Sequence, residues 1–469
     1  MRTTLLILSA LLLPLPAHAA DWPIWGRTHA RNMTSPDTNL PSTFDPGKTK
    51  PNSEEIDLAT TKNIKWVAKL GSQSYGNPTV GGGKIFVGTN NDSPRDPNIK
   101  GDHGILLCFD ANTGKFLWQF VSAKLAAGKN CDAENVGICS SPALENDRAY
   151  LVTNRCEVVA LNTKDGSPIW RFDMRNELGV FPHQMTASSP LLVGDRLYVT
   201  TSNGRDWTFK HTPSPNAPAL ICLDKDTGKL LGQESSGISS RTFICNWSSP
   251  ALARANNTDI LVFGGGDGFL YAFDPLPTPQ ATLKELWRFD CNPPSRKTLD
   301  AKALRYGHPK GPSEIIATPV FANSRITIAT GQNPEKGDGA GALSCIDPVT
   351  GKALWSDDQI GRSLSTAAVT DNLLFIADYS GRVRCLDDQT GKLHWTHDTE
   401  SVLWSSPVVA DNKLYIGNES GTLTILSATK DLKLLAQISF SAPIYSSTVI
   451  ANRTLYISTS THLYAIGNP

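Results

Sequence analysis

Net charge is missing from this 469-residue sequence: Lys+Arg total 44 and Asp+Glu total 44. A chain balanced in this way has no long-range field to steer it to nucleic acid or to an anionic membrane. Long apolar runs are missing too. A membrane span needs about 18 or more apolar residues, and the only notable run, Leu5 to Leu13, falls well short. That run follows Arg2 and precedes Ala17-His18-Ala19. A positive start, a short apolar stretch and a small-x-small site make an export signal. Residues 1–19 are therefore expected to be removed, and the mature chain to begin near Ala20. No cysteine lies beside the cleavage site, so no lipid anchor is expected. Cys-x-x-Cys-His is absent, which excludes covalent c-type haem. No two cysteines are adjacent. No metal-ligating residues are singled out.

What the sequence has in quantity is turns, with Gly 37 and Pro 31, and a repeat. The element Asp-x-x-Thr-Gly-Lys-x-x-Trp occurs at Asp110–Trp118, Asp347–Trp355 and Asp387–Trp395. Asn162–Trp170 is a weaker copy, Asp224–Gly232 has glycine for tryptophan, and Asp274–Trp287 carries an insertion. Ser427–Leu435 is a degraded copy, and Gly467 stands where an eighth would begin. Successive starts differ by 52, 62, 50, 73, 40, 40 and 40 residues. A basal period of 40 is that of a four-stranded propeller blade. Each unit opens on a Ser-Pro or its variant: Asn77-Pro78, Ser141-Pro142, Ser189-Pro190, Ser249-Pro250, Thr318-Pro319 and Ser406-Pro407, with variants at Ala367 and Thr448. Two short β-branched runs follow, as in Val408–Ala410 and Lys413–Gly417 around the turn Asp411-Asn412.

The last unit stops one strand short. Asn63 to Leu70, with Trp66 in the tryptophan slot, supplies the missing strand and closes the ring. The expected fold is all-β: an eight-bladed β-propeller of four-stranded blades over 63–469, closed by an N-terminal strand, after a lead segment over 20–62. Cys108, Cys222, Cys345 and Cys385 stand two residues before the turn Asp, where Ala160, Ala272 and Ala465 stand in other units. They are expected to be buried free thiols. Cys131, Cys139, Cys156, Cys245 and Cys291 remain candidates for a bridge in an exported chain.

Loop length is unevenly shared. First-to-second-strand turns are short, and so are third-to-fourth-strand turns apart from Pro275 to Lys284. Second-to-third-strand loops swell at Thr89–Gly104, Ser202–Pro218 and Gly331–Gly341, and blade-to-blade loops at Val121–Gly137, Met174–Met185, Ser235–Asn246 and Asp290–Glu314. In an up-and-down blade these two loop types share one face, which marks it as the binding face. Arg155, His183, Asp267 and Arg362 fall on it near strand ends. Trp247, Trp404 and Tyr445 precede the inner strands, where they would stack on a planar ligand at the channel mouth. Asp267 also lies in Gly264-Gly-Gly-Asp267-Gly268, which reads equally as a tight turn. No catalytic group stands out.

The tryptophan-docking copies resemble the repeat of the pyrroloquinoline-quinone (PQQ) type propellers, and the resemblance runs from about Asn63 to Pro469. The opening Trp22-Pro23-Ile24-Trp25-Gly26, with Arg31-Asn32, looks like the lead segment of a group of secreted bacterial PQQ-like propellers. The fold family implies two functions. One is quinone-dependent alcohol oxidation, with PQQ beside Ca²⁺ or a lanthanide and an Asp as base. The other is a scaffold role, as in the lipoprotein of the outer-membrane β-barrel assembly machinery. The adjacent cysteine pair and the Trp-Asp-Tyr-Asp type signature of many such dehydrogenases are absent here. The expectation is an exported, periplasmic or secreted binding or scaffold protein, whose partner on the loop-rich face is a protein, a polymer such as a carbohydrate, or a small molecule. A PQQ-dependent oxidoreductase is the alternative.

Overall fold

A computed structural model describes residues 20–126, 130–276 and 282–467. The expected export signal at 1–19 lies outside them. Eight four-stranded antiparallel sheets follow one another along the chain and close into a propeller ring. Blade 7 shows the pattern: Val408–Ala410, Lys413–Gly417, Thr422–Ser427 and Leu434–Ser439, from the channel outwards. Its middle strands are buried on both sides because a blade packs on each face. Its outermost strand is largely exposed. The expected strands fall where the sequence places them, Ile64–Lys69 included.

That strand pairs with His462–Ile466, setting Trp66 opposite Ala465. Blade 8 thus takes three strands from the C-terminus and one from the N-terminus. Parting the ring there would expose two sheet edges.

The repeat turn has one physical task, which is to receive a tryptophan from the preceding blade. The Asp387 carboxylate accepts from the N–H groups of Gln389 and Thr390 and from the Thr390 hydroxyl. This turns the next carbonyl outwards, and Trp355 Nε1 donates to the Asp388 carbonyl at 2.9 Å. Gly391, at φ 72°, then lies flat on the Trp355 indole; a Cβ there would sit 2.6 Å from the ring. Trp66, Trp118, Trp170 and Trp287 dock in the same way on the carbonyls of Ala111, Thr163, Lys225 and Pro348. Blade 3 lacks the tryptophan, with Gly232 in its register. In blade 7 the slot falls on Ala436, opposite Ile425, one residue later than the sequence spacing placed it, because the turn after Ser427 is longer.

All nine cysteines are free and buried. The five bridge candidates form no pair. Cys156 and Cys245 point their thiols at the carbonyls of Thr201 and Ser202, 3.4 and 3.1 Å away. Burial pushes Cys108 and Cys139 up to about 12, so neither is a thiolate at neutral pH.

The lead segment lies across the channel on the face of the short turns. Its backbone pairs with the exposed inner edge of one blade after another. Trp22 exchanges two hydrogen bonds with Val80 of blade 1, at 3.0 and 2.8 Å. The Pro23, His29, Ala30 and Met33 carbonyls accept from Leu144, Leu252, Phe321 and Val409 of blades 2, 4, 5 and 7. The Asn32 side chain brackets Val369 of blade 6, and Ala20 accepts from Asn452 of blade 8. Blade 3 is reached by Arg31, which is fully buried with no carboxylate beside it. Its guanidinium donates to the carbonyls of Ser189, Pro190, Pro250 and Trp25. Burial draws the Arg31 guanidinium down to about 9. Sixteen residues thus touch all eight blades and stop the channel from below, counting from Ala20 to Ser35.

Candidate functional site

The inner strand of each blade begins on the loop-rich face and runs down the channel. Side chains two apart on a strand share a face, so each blade gives the channel two residues at the same register. The lower set is Asn77, Ser141, Ser189, Ser249, Thr318, Thr366, Ser406 and Ser447, the residues at the Ser-Pro openings. The upper set, two residues earlier, is Tyr75, Cys139, Ala187, Trp247, Ile316, Leu364, Trp404 and Tyr445. Together they wall a cavity of about 320 Å³.

The lower set forms a collar. The backbone N–H of each member donates to the side-chain oxygen of the next blade's member: Asn77 to Ser141, Ser141 to Ser189, Ser189 to Ser249, then Thr318 to Thr366, Thr366 to Ser406, Ser406 to Ser447 and Ser447 to Asn77, at 2.6 to 3.2 Å. The ring is open only between Ser249 and Thr318. There the Thr318 hydroxyl accepts instead from Trp25 Nε1 at 2.9 Å. The Trp25 indole is the floor of the cavity. The channel is therefore a blind cup that opens on the loop-rich face.

Above the collar the wall is aromatic on two sides. Tyr75, Trp404 and Tyr445, from blades 1, 7 and 8, pack with ring centroids 5.1 to 6.0 Å apart. Trp247 stands on the far side, in blade 4. Gln184, Met185, Asn333, Pro334 and Glu335 form the rim. Among the described residues, Glu335 is the only one of the lining with a formal charge at neutral pH, and no Arg, Lys or His lines the cup.

Of the seven residues singled out in the sequence, Trp247, Trp404 and Tyr445 line this cup and the other four do not. Arg155 donates to the Ala123 and Lys124 carbonyls beside Glu157. Arg362 ties a loop, donating to the carbonyls of His308, Lys336, Gly337 and Asp338. Asp267 closes a triad with Arg241 Nε at 3.1 Å and the Tyr271 hydroxyl at 2.6 Å, and it sits in the tight turn whose Gly268 has φ 82°. Burial raises the Asp267 carboxyl despite both partners. His183 is buried behind Trp247, its Nδ1 2.7 Å from the Arg205 carbonyl and its ring against Phe209.

Sequence reasoning misses two further residues. Tyr75 holds the same register in blade 1 that Tyr445 holds in blade 8, so the repeat alignment contained the signal. Glu314 has no such signal. It is fully buried behind the wall, where it accepts from Tyr306 Oη at 3.0 Å and from the N–H groups of Asn333 and Cys245 at 3.1 and 3.3 Å. It thereby fixes the rim residues that follow Asn333. Burial raises its carboxyl to about 8 in spite of these donors.

Eight blades, with Asp-x-x-Thr-Gly-Lys turns in four and docked tryptophans in six, define a PQQ-type repeat propeller. Within that class the chain belongs to the family described as outer membrane protein assembly factor BamB, which matches residues 102–278 and 267–466. Among solved structures it is similar to BamB from Moraxella catarrhalis, at 14% identity over 86% of this chain and 99% of that one, with a TM-score of 0.59. It is also similar to a quinohemoprotein alcohol dehydrogenase from Comamonas testosteroni, at 13% identity over 97% and 82%, with a TM-score of 0.50. A computationally designed protein, Ika8, matches at 13% identity over 86% and 99%, with a TM-score of 0.54. No curated protein matches the sequence. Identities this low show the fold alone. No helix among the described residues is long and apolar enough to cross a membrane.

The quinone of the dehydrogenases carries three carboxylates. Burying a carboxylate without a cation or a full set of donors costs several kcal/mol. The cup offers hydroxyls and aromatic rings, its one charge is negative, and no group of three His, Cys, Asp or Glu among the described residues would hold a metal ion. The cup does not fit the quinone.

Proposed function

We propose that this chain is an exported binding propeller that engages its ligand or partner through the loop-rich face. One observation carries the reading: the channel is stopped at the turn face by the lead segment and opens as a cup only among the long loops. Ligand sites of this kind are concave and largely apolar, with a few placed polar groups and volumes of about 300 Å³ upwards. The family's description as an outer membrane protein assembly factor supports a protein partner on the rim around the cup and a place in the cell envelope. The quinone-oxidoreductase alternative draws support from the dehydrogenase fold, whereas the chemistry of the cup speaks against it.

A photo-crosslinking amino acid tests the face. It is placed at Lys210, exposed on a long loop of blade 3, and separately at Asp371, exposed on a short turn of blade 6. In exporting cells the first position is expected to give discrete crosslinked species and the second none. Crosslinks at Asp371 alone would overturn the reading.

A further inference from the structure

The cup has a chemistry of its own. On the strength of the binding reading, on which it rests, we propose that the cup holds the end of an uncharged saccharide.

Just above the Trp25 floor, the collar is a ring of hydrogen-bond donors. Seven collar hydroxyls each accept one N–H, which fixes one lone pair. None of the seven donates to a protein group among the described residues, so their O–H protons are left for a ligand in the cup. The Asn77 side chain accepts from the Ser447 N–H through its oxygen, leaving the amide hydrogens on the same side. Such a ring meets oxygen-rich ligand groups and would be wasted on a hydrocarbon.

Charge narrows the class. With no Arg, Lys or His in the described lining and Glu335 at the rim, a phosphate, carboxylate or sulfate would enter without a counter-charge. The walls narrow it again. Blades 4 and 8 face each other across an eight-bladed ring, so Trp247 stands opposite Tyr445 with Tyr75 and Trp404 at its sides. Two facing aromatic walls suit a flat ring with apolar C–H faces and a hydroxylated edge, which describes a pyranose. The rim amides of Gln184 and Asn333 are placed for the next sugar of a chain.

Three tryptophans, Trp25, Trp247 and Trp404, line the cup and report on it by fluorescence. The mature protein is titrated with maltose, cellobiose and N,N′-diacetylchitobiose, and in parallel with digalacturonate and benzyl alcohol, up to roughly 10 mM, deep into the weak-binding range. At least one neutral sugar is expected to saturate the signal. Trp247→Leu and Tyr445→Leu, on opposite walls, should each weaken it tenfold or more with unchanged circular dichroism. Digalacturonate should not bind. Three outcomes overturn the proposal: no neutral sugar binds, digalacturonate or benzyl alcohol binds as well as the best sugar, or both leucine variants bind like the parent. If every sugar fails while crosslinks at Lys210 persist, the saccharide is wrong and the binding face stands. If the crosslinks are also missing, the binding reading falls with it.

Discussion

At the scale of single residues, the fold is held by one repeated contact, and its strength can be measured. An indole buries about 150–250 Å², and removing a buried aromatic side chain costs about 3–5 kcal/mol. Trp355 is partly buried, so Trp355→Ala is expected to destabilise the ring by somewhat less, about 2–3 kcal/mol, read as a shift in urea midpoint with unchanged m-value. A shift equivalent to less than about 1 kcal/mol would mean that the docking in blade 5 contributes little. This contact was legible in the sequence, because a glycine four residues before a tryptophan recurs in four units, over a basal period of 40 residues. The fate of polar residues was not. Arg155, Asp267 and Arg362 stand near strand ends, yet their charges go to loop carbonyls or to a buried triad. A sequence gives the position of a loop arginine and not the direction of its guanidinium. Tyr75 was recoverable, since it stands two residues before Asn77 as Tyr445 stands two before Ser447. Glu314 was not, because its partners come from Tyr306, Asn333 and Cys245 in different loops.

At the scale of elements, the lead segment is the part whose role the sequence concealed. Its 22–32 stretch was visible as a motif, but it has neither the period of a strand nor that of a helix. Beyond a few local turn bonds, its hydrogen bonds go to the blades. Only the ring supplies the edge that it pairs with. Arg31 is the hub. Removing it leaves four buried carbonyls without a donor, and leaving a buried polar group unsatisfied costs about 1–3 kcal/mol. Arg31→Met, which keeps the length and loses the donors, is expected to lower stability by about 3 kcal/mol or more. It should also open the cup floor, making the indole of Trp25 accessible to acrylamide quenching. Unchanged stability and quenching would show that backbone pairing alone seats the segment.

At the scale of the whole molecule, pH acts through Glu314. Its carboxyl is raised to about 8 in the folded ring, against an ordinary value near 4.5. Between those values the folded state keeps a proton that the unfolded chain has lost, so stability falls as pH rises through this window and levels off above about 8. The slope from one such group approaches about 1.4 kcal/mol per pH unit. Melting temperature measured from pH 5 to 9 should decline, and Glu314→Gln, which keeps one acceptor oxygen and removes the titrating group, should flatten the decline. An equally steep decline in the variant would assign the pH dependence elsewhere. The ring closure, by contrast, was legible at this scale: a terminal unit short by one strand, and one unclaimed strand with Trp66 in the right slot.

A cup that is concave and aromatic yet without a cation is the centre of the functional reading. The most direct measurement is a titration of the purified mature protein with PQQ and Ca²⁺, followed by tryptophan fluorescence and by dye-linked alcohol oxidation. A committed cofactor site binds at about −8 kcal/mol or better, so tens of micromolar quinone would fill it. A cup without a cation should give no saturable quenching and no oxidation at that level. Saturable binding with turnover would contradict it and make the propeller an oxidoreductase.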